Sequence, residues 1–294
     1  MKTGIYLHKW LNAFVVPFKA ANTATCYRQA IQSLPSEILE TELEQLDMLD
    51  LQGVLNNQAV EHSRAAQLTY TTLHVAFNDA VAGGYMPRNI MDACKKPKHE
   101  KRKSQAFTPD QLKLYMDAAK AESCYVLLLL MATCGLRRGE ALGLTWQHVD
   151  FANHVLRVRE QRMRCKGAYT QKPLKTKSSI RDILLPDEML DILRECRLRA
   201  FERPNKGYIH DMTPEALYYA HKRVKAAAGV PEGVTLHGLR HSMASILAET
   251  GTSIKVLQVL LGHANYQTTA DIYADHLTST AYAPDVARIV TMVL

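Results

Sequence analysis

The sequence predicts a mainly α-helical protein with a small antiparallel β-sheet, built as an N-terminal helical part and a C-terminal mixed part. Three observations predict it. Over most of the chain apolar residues recur at spacings of three and four, the period of one helix face. Between residues 155 and 185 the period drops to two, which is the period of a strand. The charge also divides the chain: residues 1–94 carry 6 Lys+Arg and 9 Asp+Glu, net −3, whereas the whole chain is +7, so the remainder carries +10. The division falls on a basic run, KKPKHEKRK at 95–103, with six basic residues and one acid. The expected organisation is a helical domain at 1–94, a basic linker at 95–107 and a second domain at 108–294.

A chain of 294 residues can bury a substantial core. A hydrophobic fraction of 47% and a charged fraction of 22% are ordinary for a globular protein. No apolar run approaches the ~18 residues of a membrane span, and MKTGIYLHKW lacks the apolar centre of a signal peptide. The six cysteines are scattered without metal-type pairing and read as reduced thiols, which points to the cytoplasm.

In the first part, helices are expected at 6–15, at 23–34 before Pro35, at 48–56 behind an Asp47 cap, and at 63–82 before Gly83-Gly84. The net acidity of this part means that any polyanion surface on it is local, with Lys9, Lys19, Arg28, Arg64 and Arg88 as the candidates. The linker adds Lys95, Lys96, Lys98, Lys101, Arg102 and Lys103. Such a run is a solvated tether that also suits nucleic acid, because each phosphate contact releases counterions.

Thr108-Pro109-Asp110-Gln111 opens the second part with a capping threonine, a proline at the first helical position and a reciprocal glutamine. An apolar helix at 125–132 runs into Gly135, turns, and restarts at 137–144. Strands follow at 155–162, 169–176 and 180–185, the last two expected as a hairpin around Lys177-Ser178-Ser179. Helices are expected at 187–200 and 213–228. Beyond them, Thr235 caps a helix with an apolar stripe at Leu239, Met243, Ile246 and Leu247, ended by Gly251. A short helix at 253–261 stops at Gly262 and delivers His263, and a third at 267–273 presents Tyr273.

Two stretches of this second part carry chemistry. In 234–276, His237, Arg240 and His241 share one polar side of a helix start, because residues three and four apart are neighbours. The i, i+4 histidines have metal-ligand spacing, but Arg240 lies between them and no glutamate follows the first, so no metal is expected. In 131–151 (MATCGLRRGEALGLTWQHVDF) Leu136, Leu142 and Leu144 are expected to be buried, which would hold Arg137 at a turn. Its glycines suit neither a membrane dimer, given two arginines and a glutamate among them, nor a phosphate loop, since GxxxxGK[ST] is absent. In 234–276 two imidazoles, a guanidinium and a phenol stand on consecutive short helices, an anion site with a nucleophile beside it, and Arg137 repeats the unusual arginine upstream.

The set GLRRGEALGLTW, then HGLR, then LGH and a tyrosine ten residues after that histidine resembles the tyrosine recombinase (phage integrase) family. The motifs stand in the family's order and near its separations, and as a set they are specific. The resemblance implies an N-terminal core-binding domain and a C-terminal catalytic domain that form a clamp around DNA. The chain starts almost directly in the core-binding domain, so the arm-binding module of many larger integrases is expected to be absent or removed. The resemblance also implies a site-specific recombinase for integration or excision of a mobile element. Its partners would be double-stranded DNA attachment sites and accessory DNA-bending or excision factors. The protein would be a homotetramer on DNA and a monomer in solution, acting on the nucleoid.

By the same resemblance Arg137, Lys175, His237, Arg240, His263 and Tyr273 are catalytic, with Glu140 supporting. The residue types suit the reaction. Two forked guanidiniums can each hold a non-bridging phosphate oxygen. Tyr273 would attack to give a 3′-phosphotyrosyl link, its phenol of ordinary pKa near ~10 being lowered by the surrounding positive charge. Lys175 would protonate the departing 5′ oxygen, with Lys177 in its place if the register slips by two. His237 would assist proton transfer and His263 would donate to the phosphate. The covalent link keeps the energy of the broken bond, so neither ATP, a metal nor another cofactor is needed. Of the 13 tyrosines, Tyr266 and Tyr282 flank Tyr273 without its spacing. The competing classes are a type IB topoisomerase, which relaxes one site rather than exchanging two, and an inert DNA-binding relative.

Overall fold

The computed structural model describes residues 1–99, 105–165, 168–174, 176–201 and 207–274, without the side chains of 165, 200, 201 and 272–274. The chain forms two compact units, Met1–Arg102 and Lys103–Leu294. Among the described residues no helix is long and apolar enough to cross a membrane.

The first unit is helical. Helices α1 (Thr3–Trp10), α2 (Ala21–Gln32) and α3 (Ser36–Glu40) surround the long α4 (Met48–Ala82), and a π-helical turn, Leu11–Val15, extends α1. The sequence predicts two helices where α4 lies. The chain does bend between them, at His62 (φ −138°, ψ 68°), and Asp47 caps the first half by accepting from Leu49 N–H. Leu7, Leu55, Leu73 and Phe77 form the buried centre. Two polar bonds hang α1 on the second half of α4: Tyr6 Oη donates to the Ala76 carbonyl at 2.7 Å, and Trp10 Nε1 to Asp79 at 2.7 Å. The start of the basic run is not a free tether. Gln52 and Gln67 on α4 bond the backbone of Lys95 and Pro97, and Ser63 meets His99.

The second unit is built around α6 (Tyr125–Thr133), whose residues Val126–Ala132 are buried all round. The Thr108 capping box starts α5 (Pro109–Ala119), and the six-residue α7 (Arg138–Gly143) follows the turn after α6. The strands are β1 (Val149–Asp150), β2 (Val155–Val158), β3 (Glu160–Cys165), β4 (Ala168–Pro173) and β5 (Arg181–Leu184). Helices α8 (Asp187–Phe201), α9 (Pro214–Ala228), α10 (Leu236–Glu249), α11 (Ile254–Leu261) and α12 (Tyr266–Ala274) complete it.

The strand pairing corrects the sequence reading. The strand expected at 155–162 breaks at Arg159, and the two expected hairpin partners do not pair with each other. Instead β2 pairs with β5 in a sheet of order β1-β2-β5, while β3 pairs with β4 in a separate two-stranded arm. The reason is burial. Leu156, opposite Ile183, and Val158 alternate into the core, whereas none of the described side chains of β3 is buried, and that strand leaves the sheet. The Lys177–Ser179 segment is then a 3₁₀ turn crossing from one sheet to the other. Helix α7 packs tightly on β3: a Cβ on Gly143 would stand 2.9 Å from the backbone of Gln161 and Arg162, so only glycine fits.

Candidate active site

Four segments of the second unit meet at the C-terminal end of α11. Ser253 caps the start of that helix, and Gly262 ends it in the left-handed conformation at φ 63°. A side chain on Gly262 is doubly excluded, because its Cβ would also lie 2.9 Å from the Ser178 carbonyl. Glycine thus lets the Lys177–Ser179 turn close on the helix end.

The last carbonyls of a helix have no partner within it and mark the negative end of its dipole. Here they hold two guanidiniums. Arg240 donates from Nη2 to the Leu261 carbonyl at 2.6 Å and from Nη1 to the Gly135 carbonyl at 2.6 Å. Arg137 donates from Nη2 to the next carbonyl, Gly262, at 3.2 Å. Arg240 is 2% exposed. Burial, and then the neighbouring Arg137 cation, push its pKa down to about 9, which leaves it charged at neutral pH.

Glu140 orients Arg137 from below. Its carboxylate accepts from the Arg137 backbone N–H at 2.9 Å and from Nη1 at 2.7 Å. Burial alone would raise the Glu140 pKa. Hydrogen bonding and charge from Arg181, then from Arg137, overcome this and hold the carboxyl below its ordinary value.

Arg181 was not among the residues expected from sequence. It enters on β5, donates from Nη2 to Glu140 at 2.9 Å and from Nη1 to the Ser179 carbonyl at 3.1 Å. It therefore ties the Lys177–Ser179 turn to the carboxylate under Arg137. The available signal was positional: Arg181 alternates with Ile183 at inward positions of a strand, where a charge needs a partner.

The surroundings of both site histidines favour the neutral imidazole. His263 is anchored by its backbone N–H to the Gln258 carbonyl at 3.1 Å, and its Nδ1 lies 2.9 Å from the buried Thr269 hydroxyl. Desolvation, followed by the Arg240 and Arg137 cations, pushes its pKa down to about 4. His237, at the start of α10 behind the Thr235 cap, shows an exposed edge, and its ring lies 5.6 Å from that of His241 in an edge-on arrangement. Desolvation comes first, and Arg240, His241 and Arg137 add to it, so its pKa is also pushed down to about 4. A cavity of about 570 Å³ opens beside His237, with Arg138, Tyr218 and Lys222 on its wall.

The structure thus brings Arg137, Glu140, Arg240, His237 and His263 together. Tyr273 lies in α12, ten residues after His263, and its side chain lies outside the described set. Lys175, Lys101, Arg102, Lys103 and Tyr282 also lie outside the described residues. Tyr266 stands exposed at the first position of α12. Lys9, Lys19, Arg28, Arg64, Arg88, Lys95, Lys96 and Lys98 are all exposed on the first unit. Among the described residues no group of three or more His, Cys, Asp or Glu side chains is placed to hold a metal.

Residues 105–280 match the family model described as Phage integrase family. A tyrosine recombinase XerC-like protein of Caldanaerobacter subterraneus subsp. tengcongensis is 29% identical, over 92% of this chain and 78% of its own. The fold superposes on a Tn1549 transposon integrase in complex with transposon right-end DNA, with a TM-score of 0.82, 20% identity, and 99% and 100% of the two chains covered. It also superposes on a lambda integrase tetramer bound to a Holliday junction, with a TM-score of 0.72, 21% identity, and 95% and 79% covered. At such identities the two structural likenesses are likenesses of fold.

Proposed function

This chain belongs to the phage integrase family and is a site-specific recombinase that cleaves and rejoins DNA strands for a mobile element, and we propose that Tyr273 is its nucleophile. The observation that carries the residue assignment is the pair of guanidiniums on consecutive carbonyls, Leu261 and Gly262, beside His263 and just before the helix that bears Tyr273. Prepositioned cations cost no reorganisation when charge develops on the phosphate. The Tyr273 phenolate attacks phosphorus, the bond to the 5′ oxygen breaks, and that oxygen takes a proton from the Lys175 ammonium. Attack by a second 5′ hydroxyl reverses the steps and releases the tyrosine. Arg137 and Arg240 hold the non-bridging oxygens, and His263, neutral, donates one hydrogen bond to them. His237, neutral and at the rim of the cavity, relays the phenol proton.

The first unit is the core-type DNA-binding domain, gripping backbone phosphates through its exposed Lys and Arg side chains and the basic run. The substrates are double-stranded attachment sites, held by four copies of the chain that are monomers before DNA binds, with DNA-bending or excision factors choosing direction. The fold shared with a lambda integrase tetramer on a Holliday junction supports that assembly. The protein acts on the nucleoid, in the cytoplasm. One experiment separates exchange from relaxation: incubate the protein with two attachment-site duplexes of different length and sequence the products. Recombinant junctions are expected, and relaxation of a supercoiled plasmid without them would assign topoisomerase activity instead.

A further inference from the structure

Thr269 is 1% exposed, on the second turn of α12, and among the described residues its hydroxyl has one hydrogen-bond partner, His263 Nδ1 at 2.9 Å. A neutral imidazole carries one N–H, so the direction of this bond decides which ring nitrogen has the proton. If Nδ1 donated, the buried hydroxyl proton would have no acceptor, which burial penalises. If the hydroxyl donates, both groups are satisfied and the proton sits on Nε2. Nε2 has no partner among the described residues.

We propose that Thr269 is a positioning residue: its hydroxyl holds His263 in the Nε2–H tautomer, so that His263 can donate to the scissile phosphate only while α12 is seated. The position of Thr269 carries the second half of the claim. It stands one helical turn before Tyr273, so the element that delivers the nucleophile also sets the donor. His263 is otherwise held from α11, through Gln258, and that anchor orients its backbone rather than its ring proton. A histidine of lowered pKa suits this control, because it has a single proton to place. A departed α12 would leave the ring free to exchange tautomers, and cleavage competence would fall before any strand is cut. The inference rests on the reading of His263 as a phosphate donor.

The test uses the full chain and a nicked duplex bearing the element's own attachment site. Long-range ¹H–¹⁵N correlation of the imidazoles, with His263→Ala to assign the signal, reads the tautomer directly. The Nε2–H form is expected in the parent and in Thr269→Ser, and a mixture in Thr269→Val. Thr269→Val should cleave at least about tenfold more slowly at unchanged DNA affinity, with the His263→Ala defect as its ceiling, about 10²–10³ for a lost donor. Thr269→Ser should restore most of the rate, which separates the hydroxyl from packing. The double variant should be no slower than His263→Ala, since residues acting as a unit are not additive. An Nδ1–H form in the parent, or full multiplication of the two defects, overturns the proposal. Parent-like cleavage by His263→Ala would instead overturn the donor role of His263, and the spectrum would still decide what Thr269 does.

Discussion

Arg181 and Glu140 meet inside the second unit, Nη2 to Oε2 at 2.9 Å, with 3% and 1% of their side chains exposed. The pair joins the turn at Lys177–Ser179 to the backbone and guanidinium of Arg137, so it supports two edges of the site at once. Breaking a buried pair by removing one partner typically costs about 3–5 kcal/mol. Because Arg137 still contacts Glu140, Arg181→Met should lose about 3 kcal/mol, the low end, in urea unfolding. Strand cleavage at saturating DNA should slow as well. Arg181→Lys keeps the charge but lacks the fork that reaches both Glu140 and Ser179, and should fall between. A Met variant as stable and as active as the parent would remove the pair from this role.

Trapping the protein on a nicked suicide duplex should yield one covalent peptide, modified at Tyr273. Tyr273→Phe should bind the duplex and form no adduct. An adduct on Tyr266 or Tyr282 would move the nucleophile.

The arginines should act on rate more than on affinity, since many other phosphate contacts hold a duplex. Arg137→Ala and Arg240→Ala are expected to cleave about 10²–10³ more slowly while gel-shift affinity stays close to the parent's. Arg240→Ala should also be the less stable of the two, because Arg240 is 2% exposed and bonds the Gly135 and Leu261 carbonyls, which would lose their partner. Parallel loss of binding and cleavage would make both residues anchors.

A lysine that protonates the leaving oxygen becomes dispensable when that oxygen is a bridging sulfur, because a thiolate departs unprotonated. Lys175→Ala should be severely slow on ordinary DNA and largely rescued on a 5′-thio substrate, and Lys177→Ala should change little on either. Rescue at Lys177 alone would transfer the role across the turn. Lack of rescue at both would leave His237 as the proton donor.

Stability should depend on pH through His221. This residue, 1% exposed, accepts from Tyr115 Oη at Nδ1 and donates from Nε2 to the Val234 carbonyl, just before the Thr235 cap of the helix carrying His237. Burial above all pushes its pKa down to about 4 from 6.5. The unfolded chain therefore takes up the proton first. The contribution is complete above pH 6.5 and declines as the pH falls toward 4, by about 3 kcal/mol at most. The pH dependence of unfolding free energy should flatten by that amount in His221→Gln. An unchanged slope would show that other groups dominate acid sensitivity.

Local signals made much of this protein legible from its residues alone. Asp47, Thr108 and Thr235 cap the helices they precede, since a cap is a contact over two or three residues, and the bend at His62 falls between the two helices that periodicity separates. The anion site and its neighbouring tyrosine, and with them the resemblance to the phage integrase family, were legible because residue type and order are carried in the chain itself. The partnership of strands was not legible. Period two says that 155–185 is extended, but burial of Leu156 and Val158 together with Ile183 in the core decides that β2 takes β5 and leaves β3 to β4. The tertiary structure alone put Arg181 under Glu140, the Thr269 hydroxyl on His263, and Arg137 against a carbonyl 125 residues away. Those contacts satisfy buried charges and polar groups, and the choice of partner depends on which distant segments the packed core brings within about 3 Å.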